Sequence, residues 1–114
     1  MKGDSVYLQH MLDAIAKIES YTAIGRDAFH TQSHWQDAVI RQLEILGEAA
    51  KRISEDVRTI HFDVPWRRIA GLRDVLIHDY MGVDAAAVWE VTQTDLPTLR
   101  EQLIAILQNL PKNT

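Results

Sequence analysis

The chain has 114 residues, a mass of 13.0 kDa and no cysteine, and a second independent core is not expected at this length. With 46% hydrophobic and 25% charged residues it is too apolar to be disordered. The lack of cysteine excludes disulfides, thiolate zinc sites, iron–sulfur clusters and cysteine nucleophiles. Because no apolar stretch has the length of a signal core or a membrane span, we expect one soluble, cytoplasmic domain over residues 1–114.

The charge of the chain is unevenly distributed. Twelve Lys and Arg against sixteen Asp and Glu give a formal net charge of −4, which argues against a nonspecific coat for nucleic acid. Residues 51–73, however, contain six Lys and Arg against three Asp and Glu. The sequence therefore predicts a local positive surface on an otherwise acidic protein.

Two long helices are predicted in the first half of the chain. Apolar residues recur every three or four positions from Asp4 to about Ile24, which is the period of one helix face. The same period resumes near Ser33, a candidate N-cap, and continues to Ile53. Gly47 lies inside this second helix, where glycine costs about 1 kcal/mol relative to alanine. We interpret it as the point where another helix crosses.

The second half of the chain predicts shorter helices. After residues 54–64, which have no period, Pro65 suits the first position of a third helix that ends near Ile77. Asp84 is predicted to cap a fourth helix, and the apolar pattern continues past Pro97, where a kink is expected. No segment alternates as a strand does. The expected fold is all-α, an up-and-down bundle of four or five helices.

Two pairs of residues at helical spacing are candidates for a metal site, and each has a simpler interpretation. His30 and His34 are four residues apart but lack the glutamate of a His-Glu-x-x-His zinc site, so we interpret them as polar residues at a helix start. Glu44 and Glu48 are interpreted as a solvated helix face that pairs with Lys51-Arg52. The sequence therefore predicts no metal.

Arg73, His78 and Tyr80 form the group of residues with the clearest chemical potential. Five residues along an ideal helix turn the chain by about 500°, so Arg73 and His78 would point about 140° apart on a straight helix. If the helix ends near Ile77, the following turn folds His78 and Tyr80 back toward Arg73, and Gly82 makes such a turn sterically cheap.

An arginine and a histidine that converge suit a phosphodiester. The guanidinium binds two nonbridging oxygens at once, and the imidazole can move a proton near neutral pH. RNA suits the pair best, because its 2′-hydroxyl is an internal nucleophile. A base, an acid and a charge stabiliser then suffice without a metal or a covalent intermediate.

The segment 65–80, PWRRIAGLRDVLIHDY, resembles the HepT-like branch of the HEPN superfamily. The resemblance continues through residues 82–84 (GVD) and 88–89 (VW). Residues 40–50, IRQLEILGEAA, resemble the second signature of that family, and residues 95–97 (DLP) match its last helix. The resemblance spans nearly the whole chain.

This resemblance implies a metal-independent endoribonuclease without a cofactor, acting on messenger or transfer RNA. It would be the toxin of a toxin–antitoxin pair whose antitoxin is a small nucleotidyltransferase. Arg73 would stabilise the transition state, Asp74 would support the site, and His78 would act as general base or acid. Tyr80 would receive nucleotide groups from the antitoxin, and their charge and bulk would block RNA.

The resemblance also implies a homodimer, in which the two motifs face each other across a shared cleft. Arg67 and Arg68, about one turn before Arg73, would line the RNA groove. The alternative function is a noncatalytic dimerisation module that binds a nucleotidyltransferase. Arg73 would then form a surface ion pair with Asp74 or Asp79. The negative net charge favours this alternative, whereas the basic segment and the intact motif favour the ribonuclease.

Overall fold

The computed structural model of the chain describes residues 3–78 and 82–111, apart from the side chain of His78. The helical segments are α1 (Gly3–Thr22), α2 (Arg26–Thr31), α3 (Ser33–Arg52), α4 (Glu55–Ile60), α5 (Trp66–Ala70), α6 (Leu72–Leu76), α7 (Ala85–Glu90), a π-helical segment (Val91–Asp95) and α8 (Leu96–Asn109). Two strands of two residues each, β1 (Ile77–His78) and β2 (Gly82–Val83), pair in antiparallel fashion. The all-α prediction is confirmed, although the described residues contain more helical segments than the four or five expected.

The long helices α1 and α3 form the most extensive interface of the fold and run antiparallel. Near the start of α1, Asp4 accepts hydrogen bonds from the N–H (2.7 Å) and the hydroxyl (2.8 Å) of Ser54, which follows the end of α3. At the opposite end, the ring centroids of Tyr21 and Trp35 lie 6.4 Å apart. Helix α8 packs against α1 and completes the bundle.

The core consists of the apolar residues that the helical period marks. The buried ones from the three long helices include Leu8, Met11, Ile15, Ile18, Val39, Leu43, Leu46, Ala50, Leu99, Leu103 and Ile106. The bundle is elongated, with extents of 45 × 27 × 22 Å. Within the described residues, none of the helices combines the length and the apolar character needed to cross a membrane.

The connection between α1 and α3 differs from the prediction, because it contains the short helix α2. Phe29 of α2 is fully buried, and its ring centroid lies 5.3 Å from that of Trp89 on α7. Ser33 is the first residue of α3 rather than its N-cap, which is Gln32. The Gln32 side chain accepts a hydrogen bond from the indole N–H of Trp35 (3.0 Å) and makes no capping bond.

The third helix was predicted as one piece, and it is preceded by a helix that the sequence pattern did not indicate. Ser54 caps this helix, α4, by accepting a hydrogen bond from the N–H of Val57 (3.2 Å).

The predicted third helix is split at Gly71 into α5 and α6, and Pro65 is the N-cap of α5 rather than its first residue. Gly71 is both the C-cap of α5 and the N-cap of α6, with φ −101° and ψ 7°.

The prediction that a helix crosses at Gly47 is confirmed. A Cβ atom at Gly47 would lie 3.1 Å from the carbonyl oxygen of Ala70 and 3.2 Å from that of Ile69. The backbone of α5 therefore rests directly on α3, and a side chain at Gly47 would require these backbone oxygens to shift by a few tenths of an ångström.

The C-terminal part of the chain contains the predicted cap at Asp84. It also contains a π-helical segment near the kink that was predicted at Pro97. The Asp84 carboxylate accepts a hydrogen bond from the N–H of Ala87 (3.1 Å) at the start of α7. The π-helical segment ends just before α8, and Pro97 lies in the first turn of α8. A proline has no N–H to donate, so a widened hydrogen-bond pattern before it is a common accommodation.

Candidate active site

The contact between α3 and α5 positions the side chain of Arg73. Ala70, the last residue of α5, packs on Gly47, and α6, which follows after Gly71, also contacts α3. Arg73 follows Ala70 by three residues, and Glu44 precedes Gly47 by three. The Nε atom of Arg73 accordingly lies 2.9 Å from Oε2 of Glu44, as an ion pair.

Arg73 also contacts its neighbour in the chain. Its Nη1 atom lies 3.7 Å from Oδ1 of Asp74, and the Arg73 side chain is 46% exposed. The expected ion pair with Asp74 is therefore present, although the Glu44 pair is shorter. A guanidinium has five N–H donors, and a half-exposed one can still present donors to a ligand.

Arg73 lies in an open groove of about 630 Å³ between α1, α3 and α6, which we call the Arg73 groove. Its polar lining consists of Tyr7, His10, Arg41, Glu44, Glu48, Lys51, Arg52, Arg73 and Asp74. Four of these residues are basic and three are acidic. Among the described residues, Arg41 and Arg52 have no ion-pair partner, so both are available to an anion in the groove.

The chain leaves the helix between Arg73 and His78, as the spacing argument required. Helix α6 ends at Leu76, whose carbonyl accepts a hydrogen bond from the N–H of Asp84 (2.9 Å). His78 of β1 pairs with Gly82 of β2, which has a φ of +73°. The predicted end of the helix near Ile77 is thus confirmed, and Gly82 has the positive φ that favours glycine.

The orientation of the remaining motif residues stays a prediction. The side chain of His78, together with Asp79 and Tyr80, lies outside the described part of the chain. The convergence of His78 and Tyr80 on Arg73 is therefore a prediction from the sequence alone.

Arg67 and Arg68, the predicted RNA contacts, line a different groove. Both are exposed on α5 and face a groove of about 660 Å³. The complete lining of this groove, which we call the Phe62 groove, is Ala50, Lys51, Arg58, Phe62, Pro65, Trp66, Arg67, Arg68 and Ala70. Arg68 forms an ion pair with Asp95 (2.8 Å). Lys51 and Ala70 line both grooves, so the two are adjacent.

Sequence reasoning missed the role of Glu44. The interpretation of Glu48 as a partner of Lys51 is confirmed by an ion pair of 3.3 Å. Glu44 instead pairs with Arg73, 29 positions further along the chain. The signal that could have revealed it is the helix crossing at Gly47, because the register of that crossing brings the two residues together.

The histidine pair near the start of α3 has ordinary structural contacts. The Nδ1 atom of His30 lies 2.9 Å from the carbonyl oxygen of Arg26, and the His34 ring lies 4.9 Å from that of Trp35. Among the side chains that the structure describes, none of the His, Asp and Glu residues form a group of three or more that could hold a metal ion.

Comparisons with known proteins match nearly the whole length of the chain. The family model described as HepT-like ribonuclease matches residues 11–106. Relatives include a Thermococcus cleftensis protein named "Probable ribonuclease HepT", which is 43% identical over 95 residues, or 82% of this chain and 86% of the relative. A protein of Caldanaerobacter subterraneus subsp. tengcongensis named "Putative RNase" is 39% identical over 109 residues, or 95% of this chain and 97% of the relative.

A third relative is a longer protein. The chain is 42% identical over 113 residues to a Methanocaldococcus jannaschii protein named "Gamma-glutamylcyclotransferase and putative RNase". The match covers 98% of this chain and 51% of the relative, so the chain spans about half the length of that protein. No solved structure matches the chain significantly. The family match and the similarity to these relatives show that the chain belongs to the HepT-like ribonuclease family of the HEPN superfamily.

Proposed function

We propose that this protein is a metal-independent endoribonuclease, and that it is the toxin of a type II toxin–antitoxin pair with a nucleotidyltransferase antitoxin. One observation carries the proposal. In a chain of the HepT-like family, Arg73 lies half exposed in an open groove, and His78 stands two residues after the end of α6. Because a straight helix would turn the two residues apart, the end of α6 before His78 supports the proposal that they converge.

The proposed reaction is an internal transesterification. A base, which we assign to His78, takes the proton of the 2′-hydroxyl, and O2′ attacks the adjacent phosphorus. The bond from phosphorus to O5′ breaks, an acid protonates O5′, and the products end in a 2′,3′-cyclic phosphate and a 5′-hydroxyl. Arg73 stabilises the negative charge that develops on the nonbridging oxygens. Asp74, 3.7 Å from Arg73, supports the orientation of the guanidinium.

The reaction gives a chemical reason for a homodimer. One imidazole cannot be both the base and the acid within a single cyclisation step, and a second chain supplies a second His78. Val75, two residues after Arg73 on α6, is 68% exposed, and a large exposed apolar side chain on the helix that carries Arg73 suits burial against a second copy. In this arrangement the two Arg73 grooves form one cleft for RNA.

The cations of the Arg73 groove support a polyanionic substrate. Arg41 and Arg52 lie in the same groove as Arg73 without an ion-pair partner among the described residues. Each can contact a phosphate of messenger or transfer RNA, while Arg67 and Arg68 extend the positive surface through the adjacent groove.

Neutralisation by the antitoxin is assigned to Tyr80. Its phenol oxygen would attack the α-phosphate of ATP on the nucleotidyltransferase, which forms a tyrosine–AMP bond and releases pyrophosphate. The added phosphate carries negative charge next to the catalytic pair and repels RNA. Intact-mass measurement after co-expression with the antitoxin tests this step. We expect one or more added AMP groups on the wild type and none on Tyr80→Phe.

The ribonuclease is tested with purified protein and total RNA in excess chelator. We expect cleavage by the wild type, with cyclic-phosphate ends, and no cleavage by Arg73→Ala or His78→Ala. Arg100→Ala is the matched arginine control, because its side chain is 45% exposed and also faces a carboxylate, that of Glu19, at 3.9 Å. The exposed His34 serves as the histidine control. Equal cleavage by the wild type and Arg73→Ala would contradict the proposal.

A second function is favoured by the ion pairs of Arg73. Its guanidinium already contacts Glu44 and Asp74, and the chain carries a net charge of −4. A noncatalytic module that dimerises and binds a nucleotidyltransferase is compatible with both facts. It predicts a stable complex with that partner and no RNA cleavage, even by protein that carries no nucleotide on Tyr80.

A further inference from the structure

The turn after α4 holds an aromatic ring out in solvent. Phe62 is 82% exposed, and Ile60, two residues before it, is 70% exposed. The residues on either side of the turn are anchored, since Val57 and Val64 are buried in the core. The ring is therefore presented by a segment that cannot simply fold inward to bury it.

Hydrogen bonds make this turn rigid. The carbonyl of His61 accepts from the N–H of Val64 (3.1 Å) and from the indole N–H of Trp66 (3.0 Å). The N–H of His61 donates to the carbonyl of Val57 (2.9 Å). A fixed backbone lowers part of the entropy that a ligand must overcome on binding, and it holds the Cα of Phe62 in place at the groove.

The Phe62 groove is strongly basic. Four of its lining residues carry positive charge and none carries negative charge. Lys51 and Arg68 have carboxylate partners, Glu48 and Asp95. Within the described residues, the exposed Arg58 and Arg67 have none. An aromatic face with two uncommitted guanidinium groups beside it matches the chemistry of unpaired nucleotides, in which bases stack and phosphates bind cations.

The geometry points to a binding site for single-stranded RNA in the Phe62 groove, where a base stacks on Phe62 and flanking phosphates contact Arg58 and Arg67. The site rests on the proposed function and adds a substrate class to it. Because Lys51 and Ala70 also line the Arg73 groove, a strand that starts on Phe62 continues directly toward Arg73. A base inside a duplex is already stacked on its neighbours, so the site selects unpaired segments.

The test uses an oligonucleotide that the protein cannot cleave. A single strand of about 12 nucleotides with 2′-O-methyl groups lacks the nucleophile, so binding is measured apart from catalysis. We expect Phe62→Ala to weaken its binding by about fivefold or more, because base stacking on an aromatic ring contributes that much or more to affinity. Phe62→Tyr retains a ring and should bind as the wild type does.

The matched control for Phe62→Ala is Ile60→Ala. Ile60, the last residue of α4, is 70% exposed and apolar and lies two residues before Phe62, but it has no ring and does not line the groove. We expect Ile60→Ala to bind the oligonucleotide as tightly as the wild type does. Arg58→Ala and Arg67→Ala should each weaken binding and reduce the salt dependence of the affinity by about one counterion. The fluorescence of a 2-aminopurine in the strand should be quenched by the wild type and not by Phe62→Ala.

The outcomes separate this site from the proposed ribonuclease. Equal binding by Phe62→Ala and Ile60→Ala would overturn the site, even where cleavage still depends on Arg73. Loss of binding in Phe62→Ala without any cleavage by the wild type would support the site and contradict the ribonuclease. If Phe62→Ala binds the oligonucleotide normally but loses an acidic protein partner, the groove is a protein interface and the RNA site is wrong.

Discussion

The Nε atom of Arg73 on α6 lies 2.9 Å from Oε2 of Glu44 on α3. The two residues are 29 positions apart in the chain and meet because α5 crosses α3 at Gly47. The pair holds one edge of the guanidinium and leaves a side chain that is 46% exposed. A carboxylate in this position both orients the cation and adds negative charge where RNA would bind.

Replacement of Glu44 by alanine should separate these two effects. Loss of orientation should slow the cleavage of bound RNA by about tenfold, which corresponds to about 1.4 kcal/mol of transition-state stabilisation. Loss of the negative charge should raise RNA affinity by a few fold. Single-turnover cleavage and equilibrium binding to uncleavable RNA measure the two quantities separately.

The matched control for Glu44→Ala is Glu48→Ala. Glu48 lines the same groove one turn further along α3 but pairs with Lys51 rather than with Arg73. We expect Glu48→Ala to gain as much affinity for RNA as Glu44→Ala does. Its rate of cleavage of bound RNA should equal that of the wild type. Equal cleavage rates for the two variants would show that Glu44 does not position Arg73.

Replacement of Arg73 by lysine should abolish most activity while leaving stability nearly unchanged. Lysine keeps the charge but has no planar fork to bind two phosphate oxygens, so we expect a loss of about 100-fold or more in cleavage rate. Because the ion pair is half exposed, its contribution to stability is about 1 kcal/mol or less. Urea denaturation and RNA cleavage by the same preparation provide the comparison, and a variant with near-normal activity would contradict the assigned role.

Addition of a methyl group at Gly47 should destabilise the protein and disturb the Arg73 groove. The new Cβ would meet two backbone oxygens at 3.1 and 3.2 Å, and backbone cannot move as a side chain can. We expect overpacking to lower the free energy of unfolding by about 1–3 kcal/mol. This loss should exceed the gain of about 1 kcal/mol that alanine brings through its higher helix propensity. The urea midpoint should fall.

Gly3→Ala is the control for Gly47→Ala. Gly3 also lies in a helix, but a Cβ there would have no atom within 4 Å. Its urea midpoint should stay unchanged or rise slightly because alanine favours the helix. If Gly47→Ala were as stable as Gly3→Ala, the close approach of α5 to α3 would be wrong.

Removal of the Asp4 carboxylate should destabilise the contact between the first turn of α1 and Ser54, which lies between α3 and α4. Asp4 is buried and accepts both available donors of Ser54. Asp4→Ala leaves these donors without their acceptor, so we expect a loss of about 1–3 kcal/mol in the free energy of unfolding. Asp13→Ala removes an exposed carboxylate from the same helix and should change stability by about 0.5 kcal/mol or less. A similar urea midpoint for the two variants would contradict the structural role of Asp4.

The proposed dimer should depend on Val75, the exposed apolar residue of α6. Val75→Glu places a charge on a side chain that is 68% exposed in the single chain, and a charge buried at an interface opposes association. Sedimentation should detect a dimer of the wild type and a monomer of Val75→Glu, with loss of cleavage although Arg73 and His78 are intact. Ile24→Glu, at a position that is 48% exposed after α1, should remain dimeric. A monomeric wild type that cleaves RNA would refute the shared cleft.

Where the sequence signal is long or chemically specific, it predicts the fold well. The period of α1 and α3 marks residues that are in fact buried, such as Leu8, Ile15 and Leu43. Asp84 caps α7, and Gly47 marks a helix crossing. Each of these signals arises from a local rule of backbone geometry or hydrogen bonding, so the sequence alone is sufficient to read it.

The short helices and the surroundings of Arg73 could not be predicted in the same way. Helices α2 and α4 have six residues each, too few to establish a period, and isolated helices of that length are not stable in water. Burial of Phe29 and Val57 against the rest of the bundle holds them in place. The sequence by itself determined an all-α chain of the HepT-like family and the position of its Arg-x4-His motif. The tertiary structure alone decided that Glu44 faces Arg73 and that Phe62 stands in a basic groove, because both depend on the register at which distant helices pack.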